Sequence, residues 1–368
     1  MLSIRSTLNY LQLSSLRKGV LSYGTGIADF HQSTRRSYRS VFAGDAMGTV
    51  KAIEHDTVAS QDKETCCIFQ QPWWLEAVAP GAWGEVTINK SGVTVARLPF
   101  VLKKKFGLTV LSMPPLTCRL GPWLRLHEMK YSARLADEKE LMTKLIGQLP
   151  RFDLFRQNFT PEITNWLPFY WAGFEQTTNY TYRLEDLTDL DAVWEGFRHS
   201  ARSEIRKAEN EVKVRTDLGV ERFLEMNVKT FARQGCRLPY SPDLVHRIDA
   251  ACERNNCRRI FFAEDARGNT HAALYVVWDK RFLFTIMGGS DPTLRNSGAG
   301  SLLFWRAIQF AAEQGKAFDF EGSMIEAVER HFRNYGARQV PYFRVWKMSR
   351  RMKALNAGLE FWQAVRGQ

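Results

Sequence analysis

The segment from residue 282 to 314 constrains this chain most. FLFTIMGG reads as an apolar strand, SDPTLRNSGAG as a polar turn ending in two glycines, and SLLFWRAIQFAAEQ as a helix apolar on nearly every side. A helix without a polar face has to be buried. The segment therefore demands a strand-turn-helix unit inside a packed α/β body. The mouth of the helix is chemically specific. Backbone N–H groups there have no intrahelical partner, and the helix dipole adds partial positive charge. Gly298 and Gly300 take side chains out of the way of an approaching anion, and Arg295 offers a charge-assisted contact. A glycine-rich connection without a ligand is the competing reading.

The rest of the chain reads as two halves. With 368 residues it can bury two sizeable cores. In the first half, a helix is expected over 72–79, strands over 84–88 and 93–102, and a turn at Lys103–Lys105 with the following Phe-Gly. A helix over 131–147, a strand over 152–159, a short helix over 163–174 and the strand TNYTYRL follow. In the second half, Trp194, Phe197, Ala201, Ile205 and Ala208 recur at helical spacing in one amphipathic helix. Next come a helix near 242–255, three antiparallel strands ending in FLFTIMGG, the helix 301–314, the strand FDFEG, and a helix opened by the capping box Ser323-x-x-Glu326. YFRVW is the last strand. FDLFRQNF, a helix and Trp171-Ala-Gly173 match FDFEG, a helix and Tyr335-Gly336, a weak internal repeat of one β-α-β unit. The expected organisation is a basic extension over 1–64, domains over 65–187 and 188–347, and an amphipathic helix over 348–368.

Composition narrows the partners. The net charge is +12, which points to an anionic partner without choosing among nucleotide, phosphate, nucleic acid and acidic membrane. No stretch reaches the ~18 apolar residues of a membrane span. The cysteines at 66, 67, 118, 236, 252 and 257 match no zinc framework, so they read as reduced thiols and no metal is expected. The Ser- and Arg-rich start, including STRRSYRS, reads as a transit peptide, a disordered tail or an extension ahead of Met47.

Arg295-x-x-Gly298-x-Gly300 between a strand and a long helix resembles the pyrophosphate loop of GNAT N-acyltransferases. The longer pattern MGGSDP, RNSGAG, FDFEGSMIEAVERHFRNYGA and YFRVWK resembles the FemAB-like branch, with two GNAT-like domains in one chain. The likeness runs from about Phe69 to Lys347. It implies tandem GNAT-like domains with mixed, mostly antiparallel sheets and flanking helices, the second domain carrying the donor loop. It also implies transfer of an acyl or aminoacyl group to an amine. Arg295, Asn296, Ser297, Gly298, Ala299 and Gly300 would hold the pyrophosphate of an acyl-CoA donor such as acetyl-CoA. Met287, Gly288 and Gly289 would lie where the donor strand splays and receives the amides of the acyl arm, with a backbone N–H polarising the carbonyl. An unliganded bulge there is an equal alternative.

Strand periodicity places Asp319 and Glu321 on one face. An acceptor ammonium must lose a proton before attack, so Glu321 first and Asp319 second are candidate bases. The alternative is a structural pair bonded to the cap at Ser323 or to an arginine. The tyrosine that many GNAT enzymes use as acid is replaced by Phe332, which leaves Tyr335 or, less favoured, His331. Arg198, Arg202 and Arg206 repeat every four residues and form a stripe for the phosphates of an acceptor or a tRNA, or a plain solvated face. Met348, Met352, Leu355, Leu359 and Trp362 give the last helix an apolar face, expected to pack on the body rather than on a membrane. The expected activity is acyl transfer from acyl-CoA to a primary amine, an amino sugar or envelope precursor. Aminoacyl transfer from tRNA to a peptidoglycan precursor is the alternative, and a non-catalytic binding protein a further one. The expected location is the cytoplasm, including the inner membrane face, with no DNA partner.

Overall fold

The computed structural model describes residues 67–365 apart from 126, 127, 234 and 323. The basic extension, Cys66 and Ser323 lie outside the described residues, and the helix expected to open with a Ser323 capping box has Ile325 as its N-cap instead. The first half contains α1 (Pro72–Val78), β1 (Trp83–Lys90), β2 (Val93–Lys105), β3 (Leu108–Ser112), β4 (Trp123–Leu124), α2 (Tyr131–Gln148), β5 (Leu154–Asn158), α3 (Leu167–Trp171) and β6 (Glu175–Leu184). Then follow α4 (Leu190–Glu195), α5 (His199–Glu211), β7 (Lys213–Arg215), α6 (Val220–Arg233), α7 (Pro242–Arg254), β8 (Arg258–Glu264), β9 (Thr270–Trp278) and β10 (Phe282–Ser290). The chain ends with α8 (Ala299–Glu313), β11 (Ala317–Asp319), α9 (Glu326–Arg333), β12 (Arg338–Met348) and α10 (Arg350–Val365).

Most elements lie where patterning puts them, but β11 ends at Asp319, so Phe320 and Glu321 of the expected strand FDFEG lie beyond it and strand alternation does not place Glu321. Lys103–Lys105 continue β2, and the turn is Phe106-Gly107 alone. The helix expected through 191–211 is two helices. It breaks at Gly196, and the N–H of Arg198 donates to the carbonyl of Asn334 at 2.8 Å. Arg198 is therefore the N-cap of α5 rather than an interior residue. The short helix over 163–174 is confined to Leu167–Trp171. Helix α6 had no counterpart in the sequence reading, although Val220, Phe223, Leu224, Asn227 and Phe231 are buried at helical spacing.

Among the described residues the strands form one twelve-stranded sheet in the order β1-β2-β3-β5-β12-β6-β11-β10-β9-β8-β7, with β4 paired to β2. The halves mirror each other. An antiparallel run leads to β3 or β10. A helix, α2 or α8, crosses over to the parallel neighbour β5 or β11. Each half then closes with a short helix, a glycine and a long strand. The long strands are exchanged: β12 pairs with β5, β6 pairs with β11, and β6 and β12 pair with each other from Glu175↔Trp346 to Arg183↔Arg338. The exchange joins the halves through main-chain ladders.

The sheet in the second half is covered on both faces, which is why β9 reads as a continuous apolar run. Ala273, Tyr275 and Val277 face the core of α1, α6 and α7. Ala272, Leu274 and Val276 face the core of α5, α8 and α9. Helix α1 thus packs on the second half, where Arg247 Nε donates to the Ala77 carbonyl at 2.9 Å. A third core joins the first-half strands to α2 and α3 through Phe155, Phe159 and Phe169. Helix α10 has Met352 half-buried and Leu355 47% exposed, while the side chains of Leu359 and Trp362 lie outside the described residues.

Candidate active site

Strand β10 pairs with β9 along its length, with a bulge between Thr285 and Met287. Its pairing with β11 stops at Phe284↔Asp319. Residues 285–290 therefore run on without β11, and this is the splay. Gly289 is required by helix packing: a Cβ there would lie 2.9 Å from the carbonyl carbon of Met226 on α6. The N–H of Asp291 donates to His271 at 2.9 Å, so the alternation of an antiparallel ladder turns Ser290 and Gly288 toward the open edge. Helix α6 already serves most of that edge. Asn227 Nδ2 donates to the Gly288 carbonyl at 2.8 Å, and the Ser290 N–H donates to Thr230 Oγ1 at 2.8 Å. Alternation turns the Gly288 N–H toward the same edge, where it can meet an incoming carbonyl. Leu274, Gly300, Leu303, Phe304 and Phe332 line a narrow apolar crevice beside Gly288.

At the mouth of α8, Arg295–Ser297 form a 3-10 turn and Gly298 has φ +77°. A Cβ on Gly298 would come within 2.3 Å of the Glu204 carbonyl oxygen on α5, whereas one on Gly300 would meet nothing within 4 Å. The two glycines thus differ: Gly298 lets α5 approach, and Gly300 leaves open space for a ligand. Arg295, Asn296 and Gly300 are exposed, while Ser297 and Ala299 turn inward and offer only backbone. Lys207 Nζ donates to the Asn296 carbonyl at 2.8 Å. Ser301 Oγ donates to Glu204 Oε2 at 2.6 Å, which brings one carboxylate to this otherwise basic mouth. Arg198, at the N-cap of α5, and Arg206 on the helix are exposed, and Arg202 is half-buried.

Asp319 is fully buried and saturated. It accepts from Arg119 Nη1 at 2.9 Å and Nη2 at 3.1 Å, Arg183 Nε at 2.7 Å, Thr181 Oγ1 at 2.5 Å and the Glu321 N–H at 2.9 Å. Burial alone would raise its pKa, but the two guanidiniums outweigh that and hold it to about 2. A carboxylate so held keeps its charge and has little appetite for a proton.

Glu321 differs. Its φ is +54°, a conformation rare for a side-chain-bearing residue and often kept at functional sites. Arg119 Nη2 lies 3.7 Å from Oε2, and Oε1 is buried with no hydrogen-bond partner among the described residues. Burial, only partly offset by Arg119 and reinforced by Asp319, pushes its pKa up to about 7. The Cys118 thiol is beside it and is itself pushed up by burial. Tyr335 is elsewhere. It is fully buried with Phe304 and Phe320, and its hydroxyl is 2.9 Å from His331 Nε2. His331 is half-buried rather than exposed, and burial disfavours its charged form.

The structure thus brings Asp319 and Glu321 together and sets them on an arginine that sequence reasoning missed. Arg119 lies in MPPLTCRLG, where a lone charge in an apolar, Pro-rich stretch was the available signal. Arg183 was hidden by strand alternation. Among the described residues no cluster of three metal-ligating side chains occurs, and no helix is long and apolar enough to cross a membrane.

A family model described as an acetyltransferase (GNAT) domain matches residues 195–340. A comparison with curated protein sequences found no match. Among solved structures, FemX is similar at 12% identity and a TM-score of 0.58, covering 75% of this chain and 92% of that one. L-PGS from Bacillus licheniformis is similar at 13% identity and a TM-score of 0.46, covering 80% and 91%. A tandem GNAT protein from the clavulanic acid biosynthesis pathway is similar at 11% identity and a TM-score of 0.43, covering 73% and 83%. Residues 195–340 match the GNAT-type acetyltransferase domain, in a chain whose fold is similar to that of FemX.

Proposed function

We propose that the protein is an N-acyltransferase that moves an acyl group from acyl-CoA to a primary amine, with Glu321 as the base. The observation that carries this reading is the Glu321 carboxylate: buried, at positive φ, without a hydrogen-bond partner at Oε1 among the described residues, and pushed up to about 7 by burial. A base of that strength is matched to deprotonating an ammonium at physiological pH. The amine nitrogen forms its bond to the acyl carbonyl carbon as Glu321 takes its proton, and the leaving group departs with the bonding electrons. The Gly288 N–H receives the developing oxyanion. Arg295, Gly300 and the first-turn amides of α8 hold the donor diphosphate, with Asn296, Ser297, Gly298 and Ala299 shaping the turn and Met287 backing the splay. Asp319 serves as an anchor. Tyr335, fully buried, paired with His331 and outside the lining of the crevice, takes no proton-transfer role. Arg198, Arg202 and Arg206 are a phosphate-binding surface for the acceptor, an amino sugar or a lipid- or nucleotide-linked envelope precursor met at the inner membrane face.

The fit of acyl-CoA is uneven. The mouth of α8 suits its diphosphate, but Asn227 and Thr230 occupy edge positions where a pantetheine arm would pair with β10. That observation favours a second reading, aminoacyl transfer from tRNA, whose ester carries no such arm. The test is thiol release from acetyl-CoA against a panel of amines, with Glu321→Gln alongside. Wild-type turnover with a loss of about 10²–10⁴-fold in kcat for Glu321→Gln is expected. Equal turnover by the variant removes Glu321 from the chemistry.

A further inference from the structure

The mirror relation of the halves marks a position. In the second half the connection from β10 to α8 is the donor loop. The equivalent connection in the first half, β3 to α2, is residues 113–130, and it carries Arg119. The buried part of this segment is fixed from several elements. Gln70 Nε2 donates to the carbonyls of Leu120 at 3.1 Å and Gly121 at 3.0 Å. The Gly121 N–H donates to Gln157 Oε1 at 3.1 Å, Asn158 Nδ2 to the Cys118 carbonyl at 3.2 Å, and Trp74 Nε1 to Thr117 Oγ1 at 3.0 Å. Leu116 has φ +53° and Gly121 φ +84°, and a Cβ on Gly121 would be 2.6 Å from Phe159 Cδ1. Strained backbone persists where surroundings over-determine it. The side chain presented by all this is Arg119, 2% exposed, lying over the rings of Phe284 and Tyr342 at 5.8 and 5.6 Å.

We propose that Arg119 is the positioning residue of the acyl-transfer site: fixed on Asp319 and delivered by the first half, its guanidinium holds the Glu321 carboxylate in place and governs its proton affinity. The first half would thus have traded a donor loop for a loop that completes its neighbour's base. The proposal rests on the reading of Glu321 as the base. The fork geometry is the physical reason for arginine: Nη1 and Nη2 both reach Asp319, and Nη2 also faces Glu321. A lysine ammonium in its place would be drawn to Asp319 and leave Glu321. The groups that bear on Glu321 are Arg119 and Arg183, which favour its charged form, Asp319, which opposes it, the hydrogen-bonding Cys118 thiol, and the Tyr342 phenol.

The test is an infrared titration of the Glu321 carboxyl on the full chain, isolated as the difference from Glu321→Gln, for wild type, Arg119→Lys and Arg119→Gln. The expected result is a midpoint raised by about one pH unit in Arg119→Lys, and by more in Arg119→Gln if that variant folds. Arg119→Lys keeps a charge and decides the matter alone if the other variant does not fold. A folded Arg119→Lys with an unmoved midpoint would overturn the proposal and leave Arg119 a purely structural partner of Asp319. The titration needs no turnover. Loss of the Glu321 base assignment would show separately, as full activity in Glu321→Gln.

Discussion

Asp319→Asn keeps the shape of the side chain and removes its charge. The charge is what two guanidiniums, Arg119 at 2% and Arg183 at 5% exposure, are gathered around. Arg183 keeps a second carboxylate, Glu162 at 3.1 Å. Among the described residues Arg119 keeps Glu321 alone as a carboxylate, at 3.7 Å. Breaking a buried pair from one side costs about 3–5 kcal/mol, because an uncompensated charge stays behind. With a urea slope near ~3 kcal/mol/M, the unfolding midpoint should fall by about 1 M or more. The acid limb carries a second signature. The folded pKa of Asp319 is depressed from 3.8 to about 2, so its contribution is present above pH 3.8 and is lost as the pH falls through the depressed value. Asp319→Asn should remove that part of the acid dependence. Urea unfolding followed by tryptophan fluorescence at pH 7.5 and across pH 2–5 reads both effects. A midpoint shift below about 0.3 M at pH 7.5 would refute the description of Asp319 as the anchor of a buried charge network.

Three further outcomes follow from the geometry. With Glu321 raised to about 7 and active when deprotonated, kcat should climb with pH through that value and level off above it; a flat pH–rate profile from 6 to 8 argues against it. Gly298→Ala should destabilise the fold by at least ~1–2 kcal/mol through its positive φ and the Glu204 carbonyl, while Gly300→Ala should be neutral or slightly stabilising; equal unfolding midpoints would contradict this. Replacing Arg198, Arg202 and Arg206 by Gln should weaken a phosphorylated acceptor and reduce the salt dependence of its binding, leaving stability nearly unchanged; unchanged acceptor KM at low and high salt would make the stripe a plain solvated face.

The buried helix behind SDPTLRNSGAG and the continuous apolar strands were legible because burial on all sides writes itself into composition. The β-α-β repeat was legible for the same reason. Strand exchange was not, since β6 and β12 have the same pattern whether they pair within a half or across it. Asp319 and Glu321 stood out by alternation, but their roles could not be separated without Arg119, which is 200 residues from Asp319 in sequence. Gly298 and Gly300 look alike in sequence and differ only in what α5 places beside them. Helix α6 escaped because its buried face mixes Asn227 and Thr230 with apolar residues, and those polar groups are buried to serve β10.

The most direct test of the central claim is calorimetric titration of the full chain with acetyl-CoA, for wild type and Gly300→Glu. Wild type should bind with micromolar affinity and the variant not at all, since a Cβ at Gly300 meets nothing within 4 Å and the added carboxylate enters open space at the mouth of α8. Absence of binding by the folded wild type, or equal binding by Gly300→Glu, would contradict the assignment of acyl-CoA to this loop.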